Sequence, residues 1–299
     1  MIKEIQIMAL RHAAFYSPLL ATMGGGFLKA EGFDYYYSVA SPDNTVEQGI
    51  LNGSVHVAQS AVATSFAPLA AGNTPSFVHF AQINDRDGFF LVGRDEAKTF
   101  DWTDLIGKKV LIDHFFQPLA MFRYALYKKN INESSINIVD AGDVSAIEQA
   151  FRNGKGAYAH MQGPVPQQLE KEGLGRVVAS VGDAVGPVAF SSLCASAEWL
   201  KTDEALAFMC AYRKGQQFVL DEPAAVVADA VAEFFPKIDR DVLESTIATY
   251  QRLGCWQREA RIGRDSYERL LDVFEYSGQL AKRCTYDDVI VLPPDEVIN

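Results

Sequence analysis

Cysteine is scarce in this chain and scattered where it occurs. Cys194, Cys210, Cys255 and Cys284 make no Cys-x-x-Cys pair and stand at no Cys/His spacing typical of zinc sites. Neither a disulfide framework nor a metal centre is expected, and the four read as free thiols, buried or half-buried as small hydrophobes. Positive charge is also short. Lys and Arg number 27 against 38 Asp and Glu, a net of -11, and no basic run is interleaved with aromatics. Nucleic acid is therefore excluded as an expected partner. No apolar run reaches the ~18 residues that span a bilayer, so membrane insertion is not expected. The opening Met1-Ile2-Lys3-Glu4-Ile5 enters strand-like alternation at once, without the apolar core of a signal peptide. The expected location is periplasmic if a leader has been removed, and cytoplasmic if Met1 is the native start.

Catalytic signatures are missing too: there is no GxSxG elbow, HExxH helix, GxxxxGK[S/T] loop or GxGxxG fingerprint. The run Gly24-Gly25-Gly26 follows a helical stretch and reads as its C-terminal stop, not as a phosphate cradle. Ser191-Ser192 near Cys194 has no evident base partner. No catalytic residue and no cofactor is nominated.

What is there is a sizeable apolar content, 48% of 299 residues, enough for about two domains of ~150 residues each. The segment Val46 to Gln59 returns 101 residues later as Ile147 to His160. Both copies read as a helix stopped by Asn-Gly (Asn52-Gly53, Asn153-Gly154), followed by a short apolar strand. Upstream in each half, a strand (Lys3 to Ala9, Lys108 to Ile112) runs into a His-containing loop and then a Pro-Leu pair, Pro18-Leu19 and Pro118-Leu119. Proline suits the first turn of a helix, and Ser17 or Gln117 just before it sits where a cap belongs. Strands alternating with helices predict an α/β architecture of mostly parallel sheets joined by right-handed crossovers. Lobe one is expected to comprise 1-92 plus 188-299, and lobe two, 93-187, to be inserted. The crossings then fall near Val92-Gly93-Arg94 and Val185-Gly186-Pro187-Val188. Four C-terminal helices are predicted (Asp203 to Leu220, Pro223 to Phe235, Arg240 to Leu253, Asp265 to Ser277), with Asp288 to Leu292 as an edge strand.

Ligands of open α/β sheets bind beyond the carboxyl ends of the strands. Applied to both halves, this rule nominates Arg11, His12 and Tyr16 after the first strand, Ser41 and Asn44 at the next cap, and Gln59 and Ser60 after the Asn-Gly strand. In the second lobe it nominates His114, Phe115, Phe116 and Gln117, then His160 and Gln162. Gln82 and Asn84 precede the hinge and join them. The histidines can donate to a carboxylate, stack on a ring or ligate a metal; they can equally be polar rim residues bonded to backbone. A three-His metal site lacks the usual close spacing. Helix N-termini at the cleft would favour an anion, whereas Asp43, Asp85 and Asp113 nearby would favour an amine, so the ligand's charge is open.

The ordered pieces resemble the substrate-binding proteins of ABC importers for nitrate, sulfonates, taurine and thiamin pyrimidine precursors, a family shared with the yeast-type thiamin pyrimidine synthases. The carrying segments are Tyr16-Ser17-Pro18-Leu19 to Gly26-Phe27-Leu28-Lys29-Ala30-Glu31-Gly32-Phe33, Ile50 to Ala58, Asp104 to Val110, Phe151-Arg152-Asn153-Gly154 to Gly163-Pro164, and Ala211-Tyr212 to Glu222-Pro223. The resemblance covers essentially the whole chain. It implies a type II periplasmic-binding-protein fold, two Rossmann-like lobes closing about a hinge on a small molecule (a pyrimidine, sulfonate, aromatic acid or amine), with an ABC permease as partner. In the synthase branch a lysine follows the first Asn-Gly strand, a histidine follows one turn later, and cysteines cluster. Here Ser60 and Thr64 stand at the first two positions and Cys194 is alone, which argues against a pyridoxal-phosphate-dependent synthase. A cytoplasmic enzyme acting on a small pyrimidine or aromatic acid, or a ligand sensor, is the alternative on the same fold.

Overall fold

A computed structural model describes residues 3–94 and 99–297. Its two five-stranded sheets follow from the repeated units. In the first lobe, β1 (Lys3–Ala9) runs parallel to β2 (Phe33–Val39) on one side and to β3 (Val57–Ser60) on the other. The second lobe repeats the order: β6 (Lys109–Ile112) lies between β7 (Asn137–Asp140) and β8 (Tyr158–Gln162), parallel to both. Each Asn-Gly pair ends a helix as its sequence requires. The helix Val46–Leu51 is capped by Asn52 and followed by Gly53 at φ 75°, and the helix Val144–Arg152 by Asn153 and Gly154 at φ 80°. Glycine takes this left-handed backbone without a Cβ clash.

The remaining strands exchange between lobes. After β4 (Val78–Asn84) the chain crosses into the second lobe, where β5 (Phe89–Gly93) pairs antiparallel with β8 and with β9 (Arg176–Ser180). It returns to place β10 (Ser191–Ala195) antiparallel between β3 and β4. The sheet orders are β2-β1-β3-β10-β4 and β7-β6-β8-β5-β9. The first change of sheet therefore falls at 85–88 and not near Val92-Gly93-Arg94, because all five residues of β5 are buried in the second sheet. A fully buried strand loses the alternation that would tell which sheet it joins. The return runs through a short helix, Val181–Val185, and the segment 186–190.

The helices Asp203–Asp221, Ala224–Val231, Arg240–Leu253 and Arg264–Tyr276 form where their patterns predict, the second continuing as a 3-10 turn over Ala232–Phe234. The expected edge strand at 288–292 is instead a helical turn, Tyr286–Val289, followed by a single bridge from Ile290 to His79 on the edge strand β4. The capping box of Thr285 with Asp288 makes this turn helical. All four cysteines are free; Cys194 and Cys255 are buried, Cys284 is partly covered, and Cys210 is exposed on its helix, contrary to expectation. One hydrophobic cluster runs through both lobes, from Ile5 and Phe15 to Val110, Phe122 and Tyr250.

Candidate ligand-binding site

Parallel strands point their carboxyl ends the same way, so the loops after β1, β3 and β4 share one edge of the first sheet and those after β6 and β8 one edge of the second. These edges touch. Arg11, two residues past β1, places Nη1 2.5 Å and Nη2 3.3 Å from the two carboxylate oxygens of Asp113, one residue past β6. Asp113 Oδ1 also accepts from the Phe115 amide at 2.8 Å, and the Arg11 guanidinium lies over the half-exposed Phe115 ring, 4.5 Å from its centre. The Arg11 loop is held from behind by Gln59, whose Oε1 accepts from the Arg11 amide at 3.2 Å. Thus the first lobe grips the second through a nearly buried ion pair.

Behind this pair the site turns aromatic. Phe15 lies 5.4 Å from Phe190 and 5.0 Å from Tyr250 between ring centres, and Phe89 stacks on His160 at 4.5 Å. Phe122 also lies against His160, 5.5 Å away between ring centres and tilted to it. His160 is fully buried and neither ring nitrogen has a hydrogen-bond partner, so desolvation drives its pKa down to about 3 and the ring is neutral. Gln162 Nε2, Gln117 Oε1 and Asp87 Oδ2 are likewise buried without partners. Asp87 accepts from the Phe89 amide with its other oxygen at 2.6 Å, and burial raises its carboxyl to about 8 although that hydrogen bond opposes the shift. The buried Tyr16 hydroxyl, raised to about 12 by desolvation, is within hydrogen-bonding reach of the Gln162 side chain and within electrostatic reach of Arg11, Asp87 and Asp113. Native interiors pair their buried polar atoms, and a group of orphans in one place marks work other than folding.

The hinge is braced from outside. The Tyr250 hydroxyl donates to the Gly88 carbonyl at 2.9 Å and accepts from the Gly163 amide at 2.8 Å, so one C-terminal side chain holds both the crossing and the loop after β8. Gly88 itself has no room for a side chain: a Cβ there would fall 2.4 Å from the Phe15 ring. Gln82 and Asn84 serve the same framework. Gln82 Nε2 donates to the Asn84 and Ser191 carbonyls, and Asn84 joins Phe15 to Ser191.

Of the nominated residues, the fold brings together Arg11, Tyr16, Gln117, His160 and Gln162, with Gln59, Gln82 and Asn84 as supports. Ser60 lies to one side, bonded to Thr64, in a hollow of about 210 Å³ that also includes Leu10, Thr45 and Phe77. His12 stands at the rim, Nε2 donating to the Phe234 carbonyl and Nδ1 facing the Tyr37 hydroxyl at 2.9 Å. His114 bonds the Ile112 carbonyl. Phe116 turns away to pack on Phe274, because it opens the helix Phe116–Lys128 on the face turned to the C-terminal helices. Ser41 and Asn44 bridge each other in an exposed turn, and the helix cap is Thr45, which makes a capping box with Gln48. Asp87, Phe89 and Phe190 escaped the sequence reading. The available signal for Asp87 was its place three residues past the nominated Asn84, in Asn84-Asp85-Arg86-Asp87. Among the described residues, no group of three His, Cys, Asp or Glu is placed to hold a metal ion.

Two lobes exchanging antiparallel strands, with polar loops facing each other across the join, define the periplasmic-binding-protein fold. The match to the model described as NMT1/THI5 like extends over residues 14–226, and the chain belongs to that family. It is 30% identical over 292 residues to YtlA of Bacillus subtilis (strain 168), covering 96% of this chain and 87% of that protein. Among solved structures, the ligand-binding component of an ABC-type import system from Staphylococcus aureus, with zinc bound, superposes at TM-score 0.73 and 16% identity, covering 98% of both chains. The periplasmic aliphatic sulphonate-binding protein SsuA of Escherichia coli superposes at TM-score 0.74 and 12% identity, over 97% of this chain and 92% of that one. The periplasmic nitrate-binding protein NrtA of Synechocystis PCC 6803 does so at 0.67 and 14%, over 97% and 86%.

Proposed function

We propose that this chain is the solute-binding component of an ABC importer, that it works outside the cytoplasmic membrane, and that it closes on one small organic molecule and releases it unchanged. The observation that carries this reading is a set of orphaned polar groups from the second lobe and the crossing, at Asp87, Gln117, His160 and Gln162, among aromatic rings and beside the Arg11–Asp113 contact between the lobes. Such a setting supplies apolar area for affinity and a few polar atoms for orientation, the usual composition of a small-molecule site. Family membership and the names of the structural neighbours support the same role. Among the described residues no helix is long and apolar enough to cross a membrane.

Native mass spectrometry of the purified protein, followed by thermal-shift screening of whatever it retains, tests the proposal. Bound ligand should raise the melting temperature by mass action and be recovered chemically intact. His160→Ala should weaken binding with the fold retained. Recovery of a converted product would overturn the transport reading in favour of an enzyme.

A further inference from the structure

Resting on the cleft as the ligand site, we propose that Asp87 decides the sign of charge that the cleft accepts: it admits a ligand whose head is a primary ammonium or an amidinium, and turns away oxyanions. The orphaned groups are arranged about one ring. Asp87 Oδ1 holds the Phe89 amide, the Phe89 ring stacks on His160, and Phe89 stands opposite Gln162 in the antiparallel pairing of β5 with β8. The free Asp87 oxygen and the two bare imidazole nitrogens of His160 thus belong to the two residues that bind the Phe89 amide and stack on the Phe89 ring.

The positive charge at the lobe junction is already engaged: Arg11 faces both oxygens of Asp113. Arg86 turns Nη1 toward the Gly182 carbonyl at 3.4 Å and Asp183 at 3.5 Å, and its buried Nε has no partner. An oxyanion entering the cleft would have to take Arg11 from Asp113, leaving that buried carboxylate uncompensated, and would hold Asp87 in its protonated form. Breaking a buried pair in this way is strongly unfavourable. An ammonium or amidinium does the reverse. It leaves the Arg11 pair intact, donates to Asp87 Oδ2 and Gln117 Oε1, and supplies the counter-charge that Asp87 lacks. In a site shielded from water that pairing is far stronger than at the surface.

Calorimetric titration of the full chain with benzamidinium and phenethylammonium, set against ethanesulfonate and nitrate, tests the assignment. Both cations should bind, both anions should give no heat, and Asp87→Asn should lower cation affinity tenfold or more without lowering the melting temperature. Preferential binding of an anion, or equal cation affinity in Asp87→Asn, overturns the role of Asp87 and leaves the cleft reading standing. A molecule retained on purification decides likewise by its charge: an amine supports the assignment and an acid refutes it. Silence from every probe, with nothing retained, refutes both.

Discussion

Replacing Asp87 by Asn converts a buried carboxyl without a counter-charge into a neutral group of the same shape, and its effect on stability should depend on pH in a way no packing change can imitate. The folded-state pKa of Asp87 is raised to about 8 by burial. An unfolded aspartate titrates near 3.9, so between about pH 4 and pH 8 the folded chain keeps a proton that the unfolded chain has released. Stability therefore falls as pH rises through that window. At pH 7 the group disfavours folding by on the order of 4 kcal/mol, and at pH 5 by about 1–2 kcal/mol, taking ~1.36 kcal/mol per pH unit. The neutral packing cost of Asn is the same at both values and cancels. Asp87→Asn should thus be more stabilising at pH 7 than at pH 5, by roughly 3 kcal/mol relative to wild type, as an upper figure. The buried His79 and His160, with pKa values lowered to about 3, make stability fall as pH drops below their ordinary value, but they do so equally in both proteins. Urea unfolding of wild type and variant at the two pH values measures the difference. A variant effect that is the same at pH 5 and pH 7 would refute the buried, protonated carboxyl.

Three further outcomes follow from the site's framework. Asp113→Ala leaves the Arg11 guanidinium at the lobe junction without its carboxylate, and should destabilise the closed form by about 3 kcal/mol or more; small-angle scattering should show a larger radius of gyration. Gly88→Ala drives a methyl into the Phe15 ring and should cost about 1–3 kcal/mol in thermal unfolding, with ligand closure slowed or lost. Tyr250→Phe removes the hydroxyl shared by Gly88 and Gly163, leaving buried backbone groups unbonded; a loss of about 1–3 kcal/mol is expected, with faster hydrogen exchange at the Gly163 amide.

The candidate site was legible in part because the carboxyl-end rule depends only on strand direction. Arg11, Tyr16, Gln117, His160 and Gln162 all follow from locating the ends of β1, β6 and β8. Ser41 and Phe116 lie away from that group for a local reason: each stands near a strand end, but one helix is capped by Thr45 instead, and the other turns its first side chain toward Phe274. Periodicity places a loop at the edge of a sheet and leaves open which way each side chain in it turns.

Strand, helix and stop positions belong to the sequence itself. The Asn-Gly repeat 101 residues apart fixes two equivalent lobes, since glycine is the residue that takes the left-handed turn without strain and apolar alternation sets the strand that follows. The lobe that β5 joins was decided only in three dimensions, because a strand buried on both faces carries no alternation to declare its sheet. The pairing of Arg11 with Asp113, 102 residues away, and the isolation of Asp87 beside Phe89 arose there too. Whether a charge has a partner depends on which loops the closed lobes bring together, a property of packing that local spacing does not contain.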